Sequence, residues 1–246
     1  MSYIDAGKFA SEMNTVFKKY GFSGMLSRER IDAFYTLTEH MLSVNETLNL
    51  TAIKDPLAVI RLHYLDCAFP SSQIPKGAKV LDVGTGAGFP ALPLAILRPD
   101  IEILAVDSTE KRIKYVEETA KLCQLSNLKT AVMRAEDGAN DPALRESFDV
   151  VISRAVAEMR ILSELCLPFV KVGGRFIAMK GKNAQYELND AKRAVATLGG
   201  KLKSVDAVSY ENGTEKVDHP LLVIEKISKT SSQYPRAYAQ ISKKPL

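Results

Sequence analysis

The sequence predicts an α/β protein in which a helical extension precedes a seven-stranded, mostly parallel, doubly wound sheet. Three observations carry this. From Lys79 onward, short apolar runs alternate with amphipathic stretches. Residues 1–70 show helical spacing and no strand-like run. Between them, Lys79-Val-Leu-Asp-Val-Gly-Thr-Gly-Ala-Gly-Phe-Pro90 joins an apolar strand to a helix through a glycine turn. The expected division is therefore 1–70 for the helical extension and 71–246 for the sheet domain.

In the extension, Phe9, Met13, Val16, Phe17 and Tyr20 recur at helical spacing until Gly21 stops them. Ser27 caps a second helix whose apolar face includes Ile31, Phe34, Leu37, Met41, Leu42 and Val44. Asn49-Leu50-Thr51 reads as a turn. A third helix begins after Asp55, with Pro56 in its first turn, and is expected to run to about Ala68. It carries Arg61, His63 and Asp66. The last two share a face and are within hydrogen-bonding reach of each other, an arrangement that is more often structural than catalytic.

In the sheet domain, the first strand (Val80, Leu81, Val83) enters the glycine turn, and Pro90 opens a helix from Ala91 to Leu97. A second strand runs from Ile101 to Val106 and ends at Asp107. The helix after it, from about Thr109 to Leu122, places Lys111, Arg112 and Lys114 on an outer face. A third strand, Leu128 to Met133, leads into Arg134-Ala135-Glu136-Asp137. The fourth, Phe148 to Ser153, has Arg154 at its carboxyl end. A helix to about Val170 precedes the fifth, Arg175 to Met179, which ends in Lys180-Gly181-Lys182. After a helix from Gln185 to Leu198 come two closing strands, roughly Leu202 to Ser209 and Leu221 to Ile227. With no helix between them, the last strand is expected to be antiparallel.

At 246 residues the chain can bury a substantial core, and 46% hydrophobic with 25% charged residues is the composition of a soluble globule. No apolar run is long enough for a membrane span and the N-terminus is no signal peptide, so a cytoplasmic protein is expected. The three cysteines, Cys67, Cys123 and Cys166, are scattered without metal-ligand spacing, which predicts neither disulfides nor zinc. Net charge is only +4, but Lys226, Lys229, Arg236, Lys243 and Lys244 follow one another with no intervening acid, a tail that can touch phosphate.

The glycine turn selects the ligand class. Gly84, Gly86 and Gly88 tolerate positive φ and let backbone approach a ligand closely. Asp107 lies about 20 residues beyond the turn, where a carboxylate takes ribose hydroxyls. A dinucleotide fingerprint wants Gly or Ala where Phe89 stands. Asp82 at the strand's exit would repel a pyrophosphate but not a cation. S-Adenosylmethionine, with an ammonium, a sulfonium and no phosphate, is preferred over NAD. The seven-stranded sheet with an antiparallel last strand is likewise the Rossmann-like topology of S-adenosylmethionine-dependent methyltransferases. In such a sheet Ala135 and Glu136 overlie the adenine end, although Glu136 reads equally well as the solvated start of a helical turn. Arg154 points toward the crevice with a fork suited to carboxylate or phosphate.

Absent motifs narrow the acceptor. The Asp/Asn-Pro-Pro-Tyr loop used on exocyclic amines is replaced by Ser153-Arg154-Ala155-Val156, and Cys166 reads as core rather than as a nucleophile. A lone-pair acceptor such as guanine N7 needs neither device, nor a general base, and no catalytic base is assigned.

Asn49-Leu50-Thr51, His63-Tyr-Leu-Asp66, Leu81 to Pro90, Ile152-Ser-Arg-Ala155 and Lys243-Lys-Pro-Leu246 together resemble the bacterial small-subunit rRNA methyltransferase G family, also called glucose-inhibited division protein B. The resemblance covers nearly the whole chain, with Cys67 where the family often has Ser. It implies N7-methylation of a guanine in 16S rRNA near the decoding site, in the 30S subunit or its precursor, with S-adenosylmethionine as donor and no metal. It places Gly84, Phe89, Ala135, Glu136 and Arg154 at the donor; Gly86 and Asp107 join them on the backbone and ribose arguments above. Arg61, His63, Lys180, Arg236 and Lys243 become candidates for the RNA side. A monomer is expected, since the extension covers the sheet. The competing readings are a small-molecule methyltransferase with the same donor site and a non-catalytic RNA-binding module. The basic tail disfavours the first, and the intact Asp82, Asp107 and Arg154 disfavour the second.

Overall fold

Near-continuous burial along the central strands requires cover on both faces of the sheet, and the computed structural model, which describes residues 2–154 and 156–246, has this three-layer arrangement. The strands are β1 (Lys79–Val83), β2 (Glu102–Asp107), β3 (Leu128–Val132), β4 (Phe148–Arg154), β5 (Val170–Met179), β6 (Gly200–Asp206), β7 (Ser209–Asn212), β8 (Glu215–Asp218) and β9 (Leu221–Lys226). Seven form one sheet in the order β3-β2-β1-β4-β5-β9-β6. The first five are parallel, and β9 runs antiparallel to both of its neighbours. This is the expected topology, and sequence order reverses between β1 and β4, the place where open α/β sheets bind ligands.

The helices are α1 (Ala6–Lys19), α2 (Arg28–Leu48), α3 (Pro56–Val59), α4 (Asp66–Ala68), α5 (Ala91–Leu97), α6 (Glu110–Leu122), α7 (Ala135–Gly138), α8 (Met159–Cys166), α9 (Ala184–Thr197) and α10 (Tyr238–Lys243). Val80, Ile103, Val150, Ile152 and Ile177 face α1 to α6, so the N-terminal helices share a core with one side of the sheet. Leu81, Val83, Val151, Phe176 and Ala178 face α8, α9 and Ile241 of α10 on the other. None of the described helices is long and apolar enough to cross a membrane.

Caps explain the helix boundaries. Asp5 accepts from Lys8 N at 2.8 Å and Ser27 from Arg30 N at 3.4 Å, while Asp55 accepts from Leu57 and Ala58 amides ahead of α3. Asn49 ends α2 in the left-handed region (φ 49°).

The structure departs from expectation in two places. The single helix expected from Asp55 to Ala68 is interrupted by a π-helical stretch, Ile60–Leu65, whose wider turn re-aims its side chains. The closing strands are not a simple pair, because the β7–β8 hairpin is inserted before β9. Its two-residue turn is Gly213-Thr214, between the paired Asn212 and Glu215, with Gly213 at φ 66°, a glycine-first hairpin signal that the sequence does carry.

Candidate active site

The glycine turn sits at the carboxyl end of β1, tied to β2 by bonds from Gly84 N and Thr85 N to Val106 O at 2.9 and 3.0 Å. Its glycines serve different ends. A Cβ on Gly84 would lie 2.6 Å from Val156, and one on Gly88 would run into Leu92 of α5. A Cβ on Gly86 (φ 57°) would meet no protein atom closer than 3.9 Å. It would project into a crevice of about 540 Å³ lined by the turn, Asp107, Thr109, Arg112, Met133, Ala135, Glu136, Arg154 and, from the N-terminal segment, Leu50, Thr51 and His63.

All seven residues expected at the donor therefore border one crevice. At its β2 end, Asp107 accepts from Gly86 N at 3.1 Å and Thr109 N at 2.8 Å, with Arg112 Nη1 3.8 Å away. Beyond β3, Ala135 and the buried Glu136 open α7, and exposed Arg134 flanks them.

At the β4 end, Arg154 joins groups distant in sequence. Its Nη1 donates to Asp66 Oδ2 at 3.0 Å and to Leu62 O at 3.4 Å, and its Nη2 donates to His63 Nδ1 at 2.8 Å. The guanidinium lies 5.3 Å over the Phe89 ring, on which His63 also stacks at 4.3 Å. Asp66 Oδ1 meets His219 Nδ1 at 3.0 Å. The direct His63–Asp66 pair considered from sequence is thus replaced by a bridge through Arg154. Burial, reinforced by the Arg154 charge, pushes His63 down to about 3, so its ring is neutral at physiological pH. Burial alone would weaken the Arg154 charge, but the Asp66 carboxylate bonded to it offsets this and the Arg154 pKa is raised.

Asp82 is not where the sequence argument put it. It is fully buried on the α5 side, does not border the crevice, and accepts from Ala91 N at 3.1 Å as a cap for α5. Its other oxygen has no hydrogen-bond partner among the described residues, and burial pushes its carboxyl up to about 7.

The residues considered for the RNA side do not converge. His63 borders the crevice. Arg61 pairs with Glu12 of α1 and donates to Leu57 O. Lys180, largely buried, donates to Ala157 O at 2.8 Å and pairs with Glu187 at 2.7 Å. Arg236 forks onto the fully buried Glu164 at 2.8 and 2.6 Å, tying the C-terminal segment to α8. Lys243 is exposed on α10, whose Tyr238 reaches the crevice. Sequence reasoning also left Thr51, Met133, Tyr238 and His219 without a role, and Arg112, expected on an outer face, lies at the crevice 3.8 Å from Asp107. All three cysteines are buried thiols, and Cys166 is core, as read.

The family model described as rRNA small subunit methyltransferase G (GidB) matches residues 30–216. Ribosomal RNA small subunit methyltransferase G of Clostridium perfringens (strain 13 / Type A) is 46% identical over 89% of this chain and 92% of its own length. That of Clostridium tetani (strain Massachusetts / E88) is 43% identical over 88% and 91%. Among solved structures, M. jannaschii TYW2 in complex with AdoMet superimposes with a TM-score of 0.52 at 20% identity, covering 66% of this chain and 75% of the other. That likeness speaks for the fold, and the sequence matches speak for the family. This chain belongs to the rRNA small subunit methyltransferase G family.

Proposed function

We propose that this protein transfers a methyl group from S-adenosylmethionine to N7 of a guanine in 16S rRNA near the decoding site. In this reading it works as a cytoplasmic monomer on the small subunit or its precursor. The observation that carries the reading, beyond family membership, is one crevice with an acid at the β2 end, an acid beyond β3 and an arginine fork at the β4 end.

The residues present suit the donor. The crevice volume falls in the range of small-molecule sites, roughly 300–1,000 Å³. Asp107 uses part of its acceptor capacity on Gly86 N and Thr109 N, leaving lone pairs for ribose hydroxyls. Ala135 N and the Glu136 carboxylate are assigned to the purine edge. Arg154 keeps Nε–H and one Nη2–H free of protein acceptors among the described residues, and these are assigned to the donor's carboxylate. Gly84, Gly86 and Phe89 complete the backbone side. When bound, S-adenosylmethionine supplies a methyl group made electrophilic by its sulfonium.

Guanine N7 has a lone pair and no proton, so the chain is asked for alignment and not for a base. Holding two reactants in line contributes about 7–11 kcal/mol in ideal intramolecular cases. Arg112 and Arg134 at the crevice rim, with Lys243 on α10, are assigned to rRNA phosphates. Arg61, Lys180 and Arg236, already paired within the protein, are assigned to holding the surface that meets the RNA.

The test is tritiated methyl transfer to 16S rRNA, free and in 30S subunits, from cells lacking this gene. Label recovered as N7-methylguanosine is the expected result. Donor bound with no label in any RNA would overturn the reading and promote a small-molecule acceptor.

A further inference from the structure

Thr51, in the turn after α2, is held far more tightly than a turn residue needs to be. The buried Asn45 grips its backbone twice, Nδ2 donating to Thr51 O and Oδ1 accepting from Thr51 N, both at 2.9 Å. Its hydroxyl oxygen lies 3.0 Å from His63 Nε2 and accepts from Ile53 N at 3.1 Å. It borders the crevice beside His63, which Arg154 in turn bonds. Four hydrogen bonds therefore fix one half-buried side chain at the edge of the site.

Their direction fixes what that side chain has left. A guanidinium only donates, so His63 Nδ1, 2.8 Å from Arg154 Nη2, must be the acceptor. The proton of the neutral ring is then on Nε2, which donates to Thr51 Oγ1. With Ile53 N this fills both lone pairs of the hydroxyl, and its own proton has no protein acceptor among the described residues. Thr51 is thus a one-way donor, and Arg154, through His63, makes it so.

A donor in that position needs an acceptor from a ligand. The ammonium and sulfonium of S-adenosylmethionine offer none, and its acceptors are assigned elsewhere in the reading above: the carboxylate to the free edge of Arg154, the ribose hydroxyls to Asp107 and the purine edge to Ala135 and Glu136. The Hoogsteen edge of guanine offers two acceptors, O6 and N7, whereas adenine has an amino donor in place of O6. N7 must keep its lone pair free to take the methyl group. We propose that the Thr51 hydroxyl donates a hydrogen bond to O6 of the acceptor guanine and is a residue by which the site distinguishes guanine from adenine. This rests on the guanine-N7 reading above and deepens it.

The test pairs a protein change with a base change. The substrates are two 16S rRNA fragments, one with guanosine at the position the wild-type enzyme methylates and one with 2-aminopurine ribonucleoside there, which keeps N7 but lacks O6. Thr51→Val keeps the side chain's shape and removes the donor. It also takes the acceptor from His63 Nε2 and Ile53 N, a loss common to both RNAs, so the contact to the base is read as the extra loss on the guanosine RNA. That extra loss in kcat/KM should be about 10- to 100-fold, the effect of one unmade hydrogen bond in a dry site. Affinity for S-adenosylmethionine should stay within about twofold of wild type, and Thr51→Ser should recover most of the rate. On the 2-aminopurine RNA only the common loss should appear, because the contact to O6 is absent from wild type and Thr51→Val alike.

Equal loss on both RNAs would overturn the proposal, as would weaker donor binding in Thr51→Val. So would a wild-type enzyme that does not discriminate between the two RNAs, a measurement that does not depend on any variant folding. No N7-methylguanosine from the wild type on the guanosine RNA would instead defeat the functional reading itself.

Discussion

Gly86 is the turn glycine whose added side chain would meet the crevice and not the protein, although at φ 57° a side chain also strains the turn itself. Unlike Gly84 and Gly88, it is not required by packing, since a Cβ there meets only the crevice. Gly86→Val should leave the protein folded, as judged by circular dichroism, and reduce S-adenosylmethionine affinity at least tenfold by calorimetry. Unchanged affinity would remove the donor from this turn. Asp82 and His63 allow a second test, because they bind protons in opposite senses. Burial keeps Asp82 protonated up to about 7, so between about 4 and 7 the folded chain holds a proton that the unfolded chain has released, and stability falls as pH rises. His63, pushed down to about 3, stays neutral where the unfolded ring is charged, so stability falls as pH drops below about 6.5. The two slopes oppose each other between about 4 and 6.5. Asp82→Asn should remove one of them: its stability advantage over wild type in urea denaturation should grow from pH 4 to pH 7 and then level off. A constant difference would mean that Asp82 is ionised throughout.

At the scale of elements, the strands from β1 to β5 were legible because each is an apolar run closed by turn residues, and the glycine turn marked their carboxyl ends. The residues expected at the donor, most of them placed there by the resemblance, border one crevice because each lies at or just past the carboxyl end of a strand. What could not be read is what folding brings across the chain. Nothing near Arg154 in sequence announces His63 and Asp66, and nothing near Asp66 announces His219. The π-helical stretch has no periodicity signal of its own, yet it is what sets the aim of His63. The same limit explains Arg236, which read as a free cation in a basic tail. Glu164, its partner, lies 72 residues away in sequence, on α8. Arg236→Ala strands that fully buried carboxylate and should destabilise the protein by about 3 kcal/mol in urea denaturation. Adding Glu164→Gln should restore much of the loss. If Arg236→Ala is as stable as wild type and loses only RNA transfer, the residue acts on RNA and not on the fold.

For the whole molecule, a net charge of +4 matters less than where unpaired cations lie. Donor binding in the crevice should change little with salt, while transfer to rRNA should fall steeply on a logarithmic salt scale. Lys243→Gln should weaken transfer to all RNA substrates and reduce that slope by about 1. An unchanged slope would put α10 away from the RNA. The sheet order has a further consequence, which concerns time and not space. β9 pairs with β5 on one side and β6 on the other, yet it is the last strand to be made. Until residues 221–226 have been synthesised, β5 and β6 each present an open edge, the kind of surface on which nascent chains associate. The far third of the sheet therefore closes in a single late event, and an interrupted chain carries every crevice residue but Tyr238, on an unfinished sheet.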